Sequence, residues 1–498
     1  MNPSVASLIY ACGIAGLFYL DRDRSVPTSK ALWLPVVYLS FVGSRPISVW
    51  LGIAPPVGTD IQLDGSPVDR IFFAVLLIAA ICVLVRRGRR VFTLLNANLP
   101  ILIYFLFCLV SVLWSDFPGV AFKRWSKSIG DLLMILVVVT DGQPVAALRR
   151  LFSRTGFILI PVSLLFIKYY PNLGRGYDPW SGAPSYVGVT VNKNMLGVIT
   201  FVLLLGAVWR IIALLRSDEM PSKRGRHLLA QGTLLVLGIY LLTFADSATS
   251  TVSLVFGAGL LLATSLRFVR RNAAAVHLLV LALLLAAGFS MLLGGTAVIA
   301  NALGRDSHLT GRTDIWAAVI PMVRNPLVGA GFESFWLSPR VLGRLWELFP
   351  NLLLNEAHNG YIEVYLELGW VGVVLIGLIL LDGYRRSVKA FRREPAFGGL
   401  LVAYVLSATI YSITEAGFRM MDPIWIFFLL AVIEASSIAA RVEASQGLDI
   451  CTNRARGMSA GNTLAEGTTI RTTVGKSCDD KRLGFTKSYR HGNPSGQN

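Results

Sequence analysis

Charge is what this 498-residue chain has least of: 15% of its residues are Asp, Glu, Lys or Arg, while 54% are hydrophobic. A soluble domain carries roughly 25% charged residues, so an ordinary soluble globular protein is excluded. Cysteine is nearly absent, with five in total. Cys12, Cys82 and Cys108 fall in apolar runs and Cys451 and Cys478 in a polar tail, with no CxxC pair and no Cys/His cluster. A disulfide framework and a zinc site are thereby excluded. The chain also lacks GxxxxGK[ST], GxSxG and HExxH patterns and any repeat of fixed period. Nucleotide binding on a P-loop, a nucleophile elbow and zincin chemistry therefore have no sequence support. The first apolar run has no basic segment before it and no small-residue cleavage site after it, so a cleavable signal peptide is not expected.

What is present is a succession of long apolar runs. A membrane span takes about 20 mostly apolar residues. Thirteen such runs lie near 4–20, 31–52, 70–86, 98–114, 127–140, 154–170, 195–215, 228–244, 250–267, 274–299, 362–382, 397–414 and 423–440. Twelve is the count if one of two weak runs is dropped: 127–140 is short, and 31–52 carries Arg45 and Pro46. The expectation is an all-α polytopic bundle of about 12–13 transmembrane helices. The net charge of +17 does not point to nucleic acid, because the basic clusters recur in alternate loops, as at Arg86/Arg87/Arg89/Arg90, Arg149/Arg150/Arg154, Lys223/Arg224/Arg226 and Arg385/Arg386/Lys389. That alternation is the positive-inside pattern. It predicts cytoplasmic basic loops, a cytoplasmic C-terminus, and outer loops at 53–69, 115–126, 171–194, 245–249, 301–361 and 415–422.

The chain reads as a membrane domain over 1–445 followed by a tail over 446–498 rich in Gly, Ser, Thr, Asn and Arg. The tail holds too few large apolar residues to offset its ordering entropy, and disorder is expected there. The long outer loop, about 301–361, contains Trp316, Phe335, Trp336, Trp346 and Phe349. It is expected to fold onto the bundle as short helices partly in the membrane interface.

Chemistry-bearing residues concentrate at the end of that loop, in Asn355-Glu356-Ala357-His358-Asn359-Gly360-Tyr361. A helix beginning near Asn359 puts Asn359, Glu363 and Glu367 on one face, which lipid cannot accept, so a polar cavity is expected beside it. His358 at the helix mouth is a candidate proton acceptor; a histidine capping the helix end is the plain alternative. Arg312, in Thr310-Gly311-Arg312-Thr313-Asp314, suits phosphate recognition or a salt bridge to a nearby carboxylate. Lys123 and Arg124, Lys193 and Arg419 add further outer cations, each of which could instead snorkel to headgroups. Asp131 reads as an arginine partner or a span end, and Asp246 to Ser250 as a helix cap.

The set of motifs resembles the O-antigen ligase/polymerase superfamily, of the WaaL and Wzy type. It is carried by His358-Asn359 with Glu363 and Gly369, Leu113-Trp114-Ser115, Asn192-Lys193-Asn194-Met195-Leu196-Gly197, Gly311 to Trp316 and Pro326 to Gly331, in the family's order over about 110–420. Gly43 to Gly52 is similar to the ExoQ-type exopolysaccharide polymerases in particular. The resemblance implies a bacterial inner-membrane glycosyltransferase using an undecaprenyl-pyrophosphate-linked oligosaccharide on the periplasmic side, without cofactor or metal. It implies His358, Arg312 and Glu363 as catalytic residues, Arg419, Lys193 and Arg124 as pyrophosphate contacts, and Asn359 and Glu356 as substrate-positioning residues. A polymerase would extend exopolysaccharide repeat units, and a ligase would use another acceptor. Its partners would be the lipid-linked glycan, the bilayer, and a flippase and chain-length regulator of the same pathway, but no nucleic acid. The 246–251 turn departs from the family in lacking an arginine. A transporter or flippase of a lipid-linked or anionic solute is the alternative from another class, disfavoured by the one-sided placement of polar residues.

Overall fold

The structure, a computed structural model, describes residues 1–23, 25–53, 65–177, 182–217, 220–272, 274–282, 312–350 and 354–438. The expected tail and the start of the long loop lie outside the described residues. The fold is that of an all-α polytopic membrane protein. The only described strands form a short hairpin, Arg175–Tyr177 against Pro184–Tyr186. Met1–Ser436 forms a compact unit.

Among the described residues eight helices are long and apolar enough to cross a bilayer: Pro3–Leu20, Pro67–Arg86, Pro144–Tyr169, Lys193–Leu215, Pro221–Ala245, Ala248–Ser265, Gly360–Arg393 and Pro395–Thr414. A ninth is reached if Gly88–Ala97 and Leu99–Trp114, bent by 88°, count as one span. The remaining runs read from sequence differ for physical reasons. Pro423–Ile438 is only 16 residues, about 24 Å of helix, and most of its side chains are buried in protein. A run apolar on all sides reads the same whether lipid or protein surrounds it. The 31–52 run breaks into Trp33–Val42 and Ile47–Trp50 around Arg45-Pro46. The 127–140 run is the second half of an amphipathic helix, Pro118–Val139, whose first half carries Lys123, Arg124 and Lys127. Of 274–299 only the first residues are described.

Gly360–Arg393 holds the key to the site. Its 34 residues would measure about 51 Å, well beyond the ~30 Å hydrocarbon core. The helix is broken at Gly369, whose φ of 63° and ψ of −163° are open to glycine. A Cβ there would lie 2.3 Å from the Leu327 carbonyl carbon. The broken backbone groups are taken up by the segment Pro326–Gly331: Trp370 N donates to Pro326 O (2.9 Å), Val371 N to Leu327 O (3.0 Å), Ala330 N to Leu366 O (3.0 Å) and Gly331 N to Glu367 O (2.8 Å). Irregular backbone at a membrane boundary needs such partners. Beyond the break, Val374, Leu378 and Leu381 are exposed, as befits a lipid-facing helix. Before it, Glu363 and Glu367 are buried in protein.

The described part of the long loop folds onto the bundle as short helices, Arg312–Val319 and Pro339–Leu348. Ile315, Val319, Phe335, Trp336, Val341 and Leu345 form its core together with Ala357 and Leu366. Two loops predicted to lie outside meet, Ser115 Oγ and Ser334 Oγ being 2.7 Å apart, and Thr249 Oγ1 lies 3.0 Å from Thr414 Oγ1 at the end of the Pro395–Thr414 helix. Loops of the basic set also meet, through Arg87–Asp141 (3.7 Å) and Lys223–Asp23 (3.1 Å).

Candidate active site

His358 owes its place to the backbone around it. Asn359 caps the following helix, its Oδ1 accepting from Tyr361 N (3.0 Å) and Ile362 N (3.1 Å). Its Nδ2 donates to Ile413 O at 2.9 Å. Ala357 is pinned on the other side, where its N donates to Glu363 Oε2 (2.9 Å) and its carbonyl accepts from Trp316 Nε1 (2.7 Å). Between these anchors His358 adopts φ of 48°, a left-handed conformation that a non-glycine residue keeps only when its surroundings impose it. The imidazole then meets two carboxylates. Its Nδ1 lies 3.0 Å from Glu356 Oε1 and 3.2 Å from Glu415 Oε2.

Each carboxylate also holds a guanidinium. Arg312 Nη2 lies 2.8 Å from Glu415 Oε1 and Nη1 donates to Thr414 O. Arg419 reaches Glu356 Oε2 (3.2 Å), Glu333 Oε2 (3.3 Å) and Glu363 Oε1 (3.7 Å). Arg124 Nη1 donates to Glu333 O at 2.6 Å and lies 3.6 Å from that residue's carboxylate. Glu363 accepts from Trp336 Nε1 (2.8 Å) and Glu367 from Ser334 N (2.7 Å). Burial works against charge on His358, but the hydrogen bonds and charges of Glu356 and Glu415 outweigh it and raise its pKa to about 9. Burial likewise opposes ionisation of Glu356, and the hydrogen bond and charge of His358, with Arg419, overcome it and lower the pKa to about 2. The resting centre is an imidazolium between two carboxylates, with Nδ1 the nitrogen they hold.

The predicted residues fare unequally. Arg312, Arg419, Glu356, His358, Asn359 and Glu363 are brought together, and Arg124 joins them through Glu333. Lys193 opens the Lys193–Leu215 helix, and it is its neighbour Asn194 whose Nδ2 approaches Glu415 (3.4 Å to both oxygens). Glu363 makes no contact with the imidazole; it supports the backbone before it. Asn359 is occupied as a cap, and Glu363 and Glu367 on the face it starts are hydrogen-bonded within the protein. Asp131 is neither an arginine partner nor a helix end. It is fully buried, and accepts from Tyr38 Oη (2.8 Å) and from the backbone N of Met421 (2.9 Å), two residues past Arg419. Ser247 is a cap as expected, its Oγ accepting from Ser250 N.

Sequence reasoning missed Glu415 and Glu333 as members of the site, the first 57 residues from His358. The signal for Glu415 was its place four residues before Arg419 in a short outer loop; Glu333 gave none beyond following the glycines. Glu356, His358 and Glu415 each present one ligand atom, all within 4.8 Å of one another. No local spacing suggested that grouping, which can in principle hold a metal ion. Each carboxylate faces an arginine with one oxygen and His358 with the other, so a cation there would take the place of the Nδ1 proton.

Two comparisons with known proteins bear on the site. Residues 233–377 match the O-antigen ligase family, a stretch that includes Arg312, Glu356 and His358. The chain is also 27% identical over 313 residues to "Exopolysaccharide production protein ExoQ" of Rhizobium meliloti (strain 1021), covering 61% of this chain and 69% of that protein. The resemblance read from the motifs is borne out: this multi-pass membrane protein is similar to the O-antigen ligase family over part of its length and to an ExoQ protein over most of it.

Proposed function

We propose that this protein is a bacterial inner-membrane glycosyltransferase that polymerises exopolysaccharide repeat units carried on undecaprenyl pyrophosphate, with the His358 end facing the periplasm. The observation that carries the reading is His358 fixed between Glu356 and Glu415, with Arg312 and Arg419 on the same carboxylates. With Nδ1 held, Nε2 is the nitrogen available to an acceptor hydroxyl. In the neutral form of His358, which has released the Nε2 proton of the resting imidazolium to solvent, the hydroxyl oxygen attacks the anomeric carbon of the donor glycan and its proton passes to Nε2. The bond from that carbon to the pyrophosphate oxygen breaks, and the electron pair leaves with the lipid pyrophosphate. Arg312 and Arg419 would stabilise the charge that grows there. Pyrophosphate is already a good leaving group, so the step needs no divalent metal to proceed. Similarity to an exopolysaccharide production protein favours a polymerase over a ligase.

The test is transfer by the purified protein in liposomes supplied with lipid-linked repeat units of its own organism, with EDTA present. A ladder of lipid-linked products that disappears in folded His358→Ala and Arg312→Ala variants is the expected result. A ladder surviving both substitutions would move the site elsewhere. Transfer only to a different acceptor would make the protein a ligase, and transfer abolished by EDTA would make Glu356, His358 and Glu415 a metal site.

A further inference from the structure

The proposed reaction requires positive charge for a pyrophosphate, yet the guanidiniums at the site are already engaged. Arg312 is held by Glu415, Arg419 by Glu333 and Glu356, and Arg124 by Glu333. Four carboxylates (Glu333, Glu356, Glu363, Glu415) lie against these three arginines and His358. A phosphate-bearing ligand entering there meets a centre whose positive charge is largely neutralised.

Lys127 is differently placed. It lies on the Pro118–Val139 helix, three residues after Arg124 and four after Lys123, a spacing that sets it on their side of the helix. It is half-buried, and its ammonium makes no hydrogen bond or ion pair among the described residues. Arg124, Arg70, Asp69 and Glu333 are within electrostatic reach of it. Asp69, the acid that would be its natural partner, instead accepts from Ser48 N (2.9 Å) and Ser48 Oγ (2.6 Å). Asp69 and Glu333 attract this ammonium and Arg124 and Arg70 repel it, but neither acid is hydrogen-bonded to it, which leaves its donors for an entering anion.

We propose that Lys127 is a pyrophosphate-binding residue of the donor site, leaving Arg312 and Arg419 to hold the carboxylates about His358 until the transition state. The inference rests on the proposed function for the identity of the donor. Its chemistry, a lysine ammonium on phosphate oxygens, would serve a prenyl pyrophosphate or a phospholipid headgroup alike.

Two measurements on the full chain separate these cases. In liposome transfer, Lys127→Met should raise KM for the lipid-linked donor by about tenfold with kcat little changed, and Lys127→Arg should restore it. Binding of inorganic pyrophosphate to the protein in neutral detergent, followed by tryptophan fluorescence, should weaken by a similar factor in Lys127→Met. This second arm stands even if no transfer is found, so loss of the proposed function and loss of the Lys127 assignment are distinguishable. Wild-type KM and wild-type pyrophosphate binding in a Lys127→Met protein that melts normally would overturn the proposal. Displacement of bound pyrophosphate by phosphatidylglycerol, but not by phosphatidylcholine, would assign Lys127 to bilayer headgroups and overturn its donor role.

Discussion

Two buried or half-buried histidines sit in polar networks of this bundle, and their partners set them apart. His227, 1% exposed, has Nδ1 3.0 Å from Arg210 Nη2. An arginine can only donate, so this imidazole serves as an acceptor tying the 193–215 helix to the 221–245 helix. His358 has a side chain 15% exposed, with Nδ1 on two carboxylates. Its Nδ1 faces two acids rather than a cation. The residue type is the same; the sign of the neighbouring charge decides whether Nδ1 accepts or donates.

The sharpest way to break this comparison is to remove each ring. His358→Ala should cut transfer by at least about a hundredfold in a protein that still folds, measured as ladder formation per folded molecule. Next in size is Arg419→Ala, which leaves Glu333, Glu356 and Glu363 without their shared cation. A loss on the order of 3–5 kcal/mol is expected, visible as a large drop in melting temperature.

The pH dependence sharpens the contrast further. A proton-accepting His358 with a pKa of about 9 requires kcat/KM to rise by up to about tenfold per pH unit from pH 7 and to level off near its pKa. Removing one of its acids in Glu415→Gln should lower that midpoint, and a profile flat across this range would refute the proton-accepting role. Stability follows the same signs. His358, raised from 6.5 to about 9, stabilises fully below 6.5 and loses that contribution as pH rises through 9. Glu356, lowered from 4.5 to about 2, stabilises fully above 4.5 and loses it as pH falls through 2. Melting temperature should therefore fall on either side of the 4.5–6.5 window, and by less in His358→Ala.

His227→Ala should lower stability by about 1–3 kcal/mol and leave transfer per folded molecule unchanged. The smallest effect belongs to Asp131→Asn, which keeps the shape and one acceptor toward Met421. It should reduce transfer less than Asp131→Ala, where the Arg419 loop loses its anchor.

Much of the site was legible because its parts lie close together in the chain or carry chemistry that lipid rejects. Glu356, His358, Asn359 and Glu363 fall within eight residues, and helical spacing alone places them at one helix mouth. Arg312 was readable as a cation against the orientation bias. The partners of Glu363 were not legible, because spacing reports which residues share a face, not what lies opposite. Opposite Glu363 are Trp336 and the Ala357 amide, brought there by the folded loop. Glu415 and Asp131 escaped for the same reason: each partner is far away in sequence, 57 residues for Glu415 and 290 for Asp131.

By itself the amino-acid sequence determined that this is an all-α membrane protein and where its polar chemistry concentrates, since hydrophobic run length and loop charge are one-dimensional properties. Tertiary structure decided which apolar runs face lipid and which face protein, because burial by either leaves the same composition. It also decided the break at Gly369, which exists only because Pro326–Gly331 arrives to take up the freed backbone groups. The state of His358 was decided there too, since a proton's affinity depends on the charges within a few ångströms, and those of Glu415 and Arg312 come from distant parts of the chain.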